Sequence, residues 1–308
     1  MHSIRNGKLQ LVPKIRHGRR IPEFLSDTIV PMFTPFRTNG AVDTEGINHL
    51  TEWLLEKPLK ALFPLGGTGE WRGLSMEERK LVISTTLIAA KGQGPVMPGV
   101  HGNSLNETME LAKLAEDLGA DAVTIVVPDF VDAKADALYH YYETVAISVQ
   151  LPVVLYDTGN STGNITPQLL GRLTQIENIV GIKDSSNDIG KLMQHVVEAE
   201  GQMAVLQGNE TLYLPALSVG AVGAIGGGCN VYPEVIGDIH QAFDAGDHHR
   251  ALYLQVKVCQ LWKLVASGWP RSGKRALRSF GVQINETCRV NSGQGDENME
   301  DNLKRLLE

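Results

Sequence analysis

Short apolar runs alternate with longer amphipathic stretches from Asp27 onward, and this rhythm limits the folds open to the chain more than any other feature. Candidate strands are residues 28–33, 61–64, 96–99, 122–127, 153–156, 179–183, 204–207 and 223–225. The clearest of them, around Ile179, Val180 and Ile182, has the continuous apolar character of a strand buried on both faces, as in parallel sheets. The segments between carry helix-start signals. Ser75 with Glu78 and Ser104 with Glu107 read as capping boxes, and Thr166 before Pro167 reads as an N-cap with proline at the first helical position. Eight strands alternating with helices over about two hundred residues predict an α/β fold of the (β/α)8 TIM-barrel type rather than an open sheet. Stretches 118–125 and 219–225 both run from helix end through glycine to strand, which is the way a barrel repeats itself. Past residue 230 there is more helix than an eighth barrel unit needs, at 239–245, 249–266, 271–280 and 298–307. The expected organisation is an N-terminal extension over 1–26, a barrel over 27–230, and an eighth barrel helix plus a C-terminal helical appendage over 231–308.

Composition removes several classes of function. The chain has 308 residues, 43% hydrophobic and 20% charged, the balance of a soluble globular protein. Its net charge of -7 argues against a nucleic-acid surface, where basic patches dominate. No apolar run approaches the ~20 residues that span a bilayer. Cys229, Cys259 and Cys288 lie far apart without metal-ligand spacing, and are expected to be reduced thiols of a cytoplasmic protein. The stretch from Met1 to Arg20 is basic but lacks the apolar core of a signal peptide, so it is expected to be an extension or an expression remnant rather than a secretion signal.

Active sites of such barrels lie at the C-terminal ends of the strands. Four expected strands end in chemically suggestive residues there: Gly66-Gly67-Thr68-Gly69-Glu70, Tyr156, Lys183, and Gly226-Gly227-Gly228-Cys229-Asn230. Burial disfavours the ammonium form of a lysine, and a lysine that is partly neutral is a nucleophile able to form a Schiff base with a ketone. A strand-end lysine that snorkels to solvent is the alternative for Lys183 taken alone. Tyr156 is one helix-plus-strand unit upstream, so in a barrel the two would stand side by side. A buried tyrosine is by default a core residue, but a phenol beside an iminium can also move protons. The glycines at 66, 67 and 69 let backbone N–H groups approach an anion, and Thr68 could add a hydroxyl or simply cap the next helix.

Several stretches, taken in order, resemble the dihydrodipicolinate synthase/N-acetylneuraminate lyase family of class I barrel lyases. They are Thr34-Pro35-Phe36 with Asp43, Gly66 to Glu70 followed by Leu74, Ser75 and Glu78, Tyr156 with Thr162-Gly163, Gly181-Ile182-Lys183-Asp184, and Gly208 with Gly223, Ala224, Ile225 and Asn230. The resemblance runs over nearly the whole length from Asp27. It implies that Lys183 is the Schiff-base lysine, Tyr156 the acid/base phenol, and Thr68 with the backbone of its loop the carboxylate site, with the Ile225 carbonyl facing the lysine region. It also implies a 2-oxo acid substrate, no cofactor or metal, and a homo-oligomer, tetramer or dimer.

The departures from the family pattern bear on the substrate. Gly67 stands where dihydrodipicolinate synthases carry a second hydroxyl, Phe130 where they carry a relay tyrosine, and Ser161 where they carry a carboxylate-binding arginine; Gly159 replaces a proline. The expectation is therefore a Schiff-base lyase of a 2-keto-3-deoxy sugar acid or related compound, and not a typical dihydrodipicolinate synthase. Gly66 to Glu70 followed by an aromatic is similar to the keto-deoxyglucarate dehydratase branch, which is the alternative. A catalytically silent barrel that binds a small acid is another. A metal-dependent aldolase is disfavoured, because His49, His101, His195 and His249 fall on scattered helices and loops and read as surface or core residues. Asn160, Ser161 and Asp129 are possible hydroxyl readers, with ordinary turn roles as the alternative. Arg72 could meet a second carboxylate or be a solvated charge, and Asp184 could orient Lys183 or cap the next loop.

Overall fold

Seven parallel strands form one sheet: β1 (Asp27–Pro31), β2 (Ala61–Phe63), β3 (Val123–Val126), β4 (Val153–Asp157), β5 (Ile179–Asp184), β6 (Ala204–Gln207) and β7 (Gly223–Ala224). They come from a computed structural model that describes residues 21–132, 134–159, 164–293 and 295–308. The spatial order is β2-β1-β7-β6-β5-β4-β3. β2 and β5 are not neighbours in that order, yet the Phe63 ring lies 5.4 Å from Lys183 Nζ. The sheet therefore curls around a common interior.

One expected strand is not realised as such. Residues 96–99 make only isolated parallel bridges, Val96 to Leu62 and Gly99 to Thr124. Their hydrogen bonds nonetheless reach both outer strands: Met97 N donates to Leu62 O at 2.9 Å, and Thr124 N donates to Pro98 O at 2.9 Å. Pro95 and Pro98 have no N–H to give, so a continuous ladder cannot form on this segment.

A helix follows each strand and covers the sheet from outside. These are α1 (Thr44–Leu55), α2 (Met76–Ala90), α4 (Ala135–Ile147), α5 (Pro167–Leu173), α6 (Ile189–Ala199), α7 (Tyr213–Ser218) and α8 (Pro233–Asp244); α3 (Leu105–Asp117) follows residues 96–99. The Ser75 capping box forms in full, with Glu78 N donating to Ser75 Oγ and Ser75 N to Glu78 Oε2. The second box is half formed. Ser104 Oγ accepts from Glu107 N, but the Glu107 carboxylate takes the N–H of Asn103 instead of that of Ser104. α8 begins at Pro233 rather than at residue 239, because proline at the first helical position is pre-set for the helix.

α9 (His248–Ala266), α10 (Arg271–Ser279) and α11 (Met299–Leu307) complete the C-terminal part. Ile236, Val258 and Leu261 pack there with Val30, Leu50 and Leu54 from β1 and α1. The chain between α10 and α11 returns to the loop after β2, where Arg289 reaches Glu70 and Glu78. Among the described residues no helix is long and apolar enough to cross a membrane.

Candidate active site

β4 and β5 pair in a register that sets Tyr156 directly opposite Lys183. Side chains of a strand alternate between its two faces, so paired residues of parallel neighbours share a face. Here that face is the interior: Lys183 is 4% exposed and Tyr156 8%. The ammonium nitrogen lies 4.2 Å from the centroid of the Tyr156 ring, with Phe63 closing the other side. Among the described residues no carboxylate lies within ion-pair distance of Nζ. Lys183 thus sits between two π faces instead of in a salt bridge, and no ion pair has to be broken before its amine can attack.

The loop after β2 faces this pair. Gly69 N donates to Gly66 O and Glu70 N to Gly67 O, each at 3.0 Å, which folds the loop into overlapping tight turns. Leu65 and Glu70 flank it in the left-handed region, with φ of 62° and 57°. Among the described residues the N–H groups of Gly67 and Thr68 have no protein acceptor, so both remain available to an anion. A Cβ at Gly67 would lie 3.6 Å from Tyr156 Oη, which puts the open side of the loop against the phenol. Thr68 Oγ1 points to the other neighbour, 3.5 Å from where a Gly227 Cβ would be. Thr34 Oγ1 donates to Gly69 O at 2.7 Å and holds the loop from below.

Glu70 ties the loop to the C-terminal part. Its Oε1 pairs with Lys274 Nζ at 2.8 Å, and both side chains are fully buried. Its Oε2 accepts from Arg289 N at 2.7 Å and Val290 N at 2.9 Å. Lys274 also donates to Thr287 O. Arg289 grips Glu78 with both guanidinium arms, and this pairing pulls the Glu78 carboxyl down to about 2.

The opposite wall carries the loop after β7. Ile225 is fully buried, with its N–H on Gln207 O. Beneath it, Glu210 takes the N–H of Gly228 at 2.7 Å. Burial raises the Glu210 carboxyl, and the Gly228 N–H and the Lys183 charge oppose that rise. Glycine is required at 226, because a Cβ there would fall 2.3 Å from Glu210 Oε2. Cys229 is buried beside it, and burial pushes its thiol up, away from thiolate chemistry.

Other expected residues divide. Phe130 is 41% exposed and packs edge-on against Tyr141, centroids 5.7 Å apart. Asn160 and Ser161 lie outside the described residues. Asp157 fixes the segment on either side of them, accepting from Gly159 N, Ile165 N and Lys191 Nζ. Arg72 pairs with Asp129 at 3.0 Å across two rim loops, both half exposed. Asp184 turns away from Lys183: it caps Ser186 N and faces His195 Nδ1 at 3.0 Å.

His101 is a core histidine, one of the two readings open to it from the sequence, and it stands close to the Lys183–Tyr156 pair. It lies just past residues 96–99, 2% exposed, with its ring 4.9 Å from Trp71 and 6.4 Å from Tyr156. Burial, then the nearby charges of Arg79, Arg72 and Lys183, push its imidazole down to about 3. Phe63, Glu210 and the Lys274 partner of Glu70 were not singled out from the sequence. Among the described residues no group of three potential metal ligands converges.

Residues 24–308 match the dihydrodipicolinate synthetase family. The chain belongs to that family. It is 34% identical over 282 residues to the 4-hydroxy-tetrahydrodipicolinate synthase of Syntrophus aciditrophicus, covering 91% of this chain and 96% of that one. The Archaeoglobus fulgidus enzyme of the same name is 35% identical over 257 residues, 82% of this chain and 88% of its own. Among solved structures, a prophage protein of the dihydrodipicolinic acid synthase family from E. coli K12, in complex with pyruvate, superposes with a TM-score of 0.84 at 29% identity, covering 92% and 97% of the two chains. The Acinetobacter baumannii dihydrodipicolinate synthase complexed with pyruvate gives 0.83 at 30% identity, with 92% and 98% covered. The family is one of class I, Schiff-base-forming lyases, and the chain is an enzyme of that class.

Proposed function

We propose that the chain is a lysine Schiff-base lyase of a 2-oxo acid with a pyruvate-type half, in which Lys183 is the nucleophile and Tyr156 the acid/base group. The observation that carries the reading is the Lys183–Tyr156 pair, register-matched on adjacent strands and 4.2 Å apart from ammonium to ring. The amine attacks the C2 carbonyl and forms a carbinolamine. The Tyr156 phenol protonates its hydroxyl, water leaves, and an iminium remains. The free N–H groups of Gly67 and Thr68, with Thr68 Oγ1, hold the substrate carboxylate, and Ile225 lines the wall opposite. The iminium is itself the electron sink for the bond that breaks next, so this chemistry calls for no metal or organic cofactor.

The reading takes residues 96–99 as the eighth strand, which closes the sheet into a (β/α)8 barrel. It places the enzyme in the cytoplasm, where its three unpaired cysteines persist as thiols, and it takes the molecule as a homo-oligomer, tetramer or dimer.

The substrate we favour is a 2-keto-3-deoxy sugar acid or a relative of one. Gly67 leaves a space beside Tyr156 Oη where a hydroxyl could stand, and Phe130 brings no hydroxyl to the rim. The names of the relatives favour a second reading, condensation of pyruvate with aspartate semialdehyde. A panel of 2-keto-3-deoxy acids, followed for pyruvate release and for loss of water, is run beside that condensation. Turnover of a sugar acid with weak condensation supports the first reading. Robust condensation with no sugar-acid turnover overturns it in favour of the second.

A further inference from the structure

His101 is a buried polar group with one nitrogen left over. Nδ1 accepts the N–H of Val126 at 3.1 Å, so the proton of the neutral ring is on Nε2. Among the described residues Nε2 has no hydrogen-bond partner, an uncommon state for a nitrogen 2% exposed overall. The ring is not loosely placed. Arg79 Nη1 donates to the His101 carbonyl at 2.7 Å, Trp71 packs on one side, and Val126 is the register partner of Tyr156 itself.

The direction of Nε2 follows from glycine 99. A Cβ on Gly99 would fall 2.5 Å from Nε2 and 2.6 Å from Leu65 O. Val96 pairs with Leu62, so Met97 shares the inward face of Phe63, and by strand alternation the missing side chain of Gly99, two residues on, would also point inward. Nε2 fills that inward position, level with the start of the carboxylate loop. Any residue but glycine at 99 would expel it.

We propose that His101 is a catalytic residue of the Schiff-base reaction, donating a hydrogen bond from Nε2 to an oxygen of the bound 2-oxo acid. The proposal rests on the Schiff-base reading of Lys183 and assigns the neutral imidazole a task distinct from that of Tyr156. With Nδ1 occupied by an N–H and Arg79, Arg72 and Lys183 nearby, the ring does not gain a second proton at working pH. It therefore polarises an oxygen without shuttling a proton, as a neutral histidine does in other enzymes that form carbanions next to a carbonyl. The site lacks a hydroxyl at 67, and a fixed donor on the adjacent wall supplies a hydrogen bond there.

Pyruvate alone provides the test, because reversible iminium–enamine exchange replaces its methyl protons with deuterium in heavy water. In that exchange the deprotonated Tyr156 oxygen takes the methyl proton as the C–H pair moves toward the iminium nitrogen, exchanges it with solvent, and returns a deuteron to the same carbon. Wild-type enzyme, His101→Phe and His101→Gln are compared for the exchange rate, its KM for pyruvate and its pH profile. Removing one preorganised donor costs about 10²–10³ in the rate constant. The expected result is a fall of that size in His101→Phe with an unshifted pH profile, and substantial recovery in His101→Gln, whose amide keeps an N–H. Exchange by His101→Phe at the wild-type rate overturns the proposal, as do equal losses in both variants or a displaced pH limb. If His101→Phe does not fold, His101→Met removes the donor at similar length and is read in the same way. Failure of the underlying function shows itself separately, as wild-type enzyme that neither exchanges pyruvate protons nor is trapped on Lys183.

Discussion

Lys274→Met removes one half of a buried ion pair and leaves the other half in place. Glu70 would keep the N–H groups of Arg289 and Val290 on Oε2, but Oε1 would face a thioether where an ammonium stood 2.8 Å away. Both side chains are fully buried, so neither solvent nor salt can compensate. Breaking a buried pair from one side costs about 3–5 kcal/mol, against about 1 kcal/mol or less for an exposed pair. At about 2.1 cal/mol/K of unfolding entropy per residue, that corresponds to about 5–8 °C in Tm for this chain. The double variant Glu70→Gln with Lys274→Met removes both charges, so its loss should be well below the sum of the two single losses. The assay is urea unfolding followed by far-UV circular dichroism and tryptophan fluorescence, with coincident transitions required before a free energy is taken. Glu70 ends the loop proposed to hold the substrate carboxylate, so the KM for a 2-oxo acid should rise in Lys274→Met as well. A loss below about 1 kcal/mol, with KM unchanged, would show that the pair neither holds the C-terminal part to the rim nor shapes the loop.

Tyr156→Phe keeps the ring over Lys183 and removes one hydroxyl, so turnover should fall by about 10²–10⁴ while pyruvate affinity falls much less; steady-state kinetics separate the two. Gly99→Ala and Gly67→Ala make a matched pair. The first puts a Cβ 2.5 Å from His101 Nε2 and should cost about 1–3 kcal/mol in unfolding experiments. The second puts a Cβ at ordinary contact distance, 3.6 Å from Tyr156 Oη, and should leave stability within about 0.5 kcal/mol. His101 also predicts a pH effect on stability. Its imidazole is held down to about 3 against an ordinary value of 6.5, so between those limits the unfolded chain binds a proton that the native protein does not. That contribution is fully present above the ordinary value and is lost as pH falls, at up to about 1.4 kcal/mol per pH unit. The profile of His101→Gln, measured by the same unfolding assay, should be flatter by that slope.

The Lys183–Tyr156 pair was legible because it depends on two local patterns and one rule. Each residue closes an apolar run, and consecutive parallel strands tend to be neighbours. The helix starts at Ser75 and Thr166 were legible for the same local reason, whereas the Glu107 carboxylate chose one N–H over another by a difference in geometry too fine for a motif. Residues 96–99 were legible as an extended segment between two strands, but hydrophobicity does not register that prolines lack donors, which leaves parallel bridges there in place of a full ladder. His101 is buried, within the reading of surface or core, but its particular placement was not legible, because an imidazole folded back into the space that Gly99 leaves is a relation between two residues. Lys274 gave no signal at all. Its partner lies across the fold, and a lysine in a helix reads as solvated until its surroundings are seen. Asn160 and Ser161 remain expectations from the sequence.

The central claim is that Lys183 forms the covalent bond with substrate. Pyruvate and borohydride are added to wild-type enzyme and to Lys183→Ala, and intact mass and peptide maps are recorded for both. A single reduced pyruvyl adduct on the peptide that contains Lys183, absent from Lys183→Ala, is the predicted result. An adduct on another lysine, an adduct that persists in Lys183→Ala, or no adduct in the wild type would contradict it.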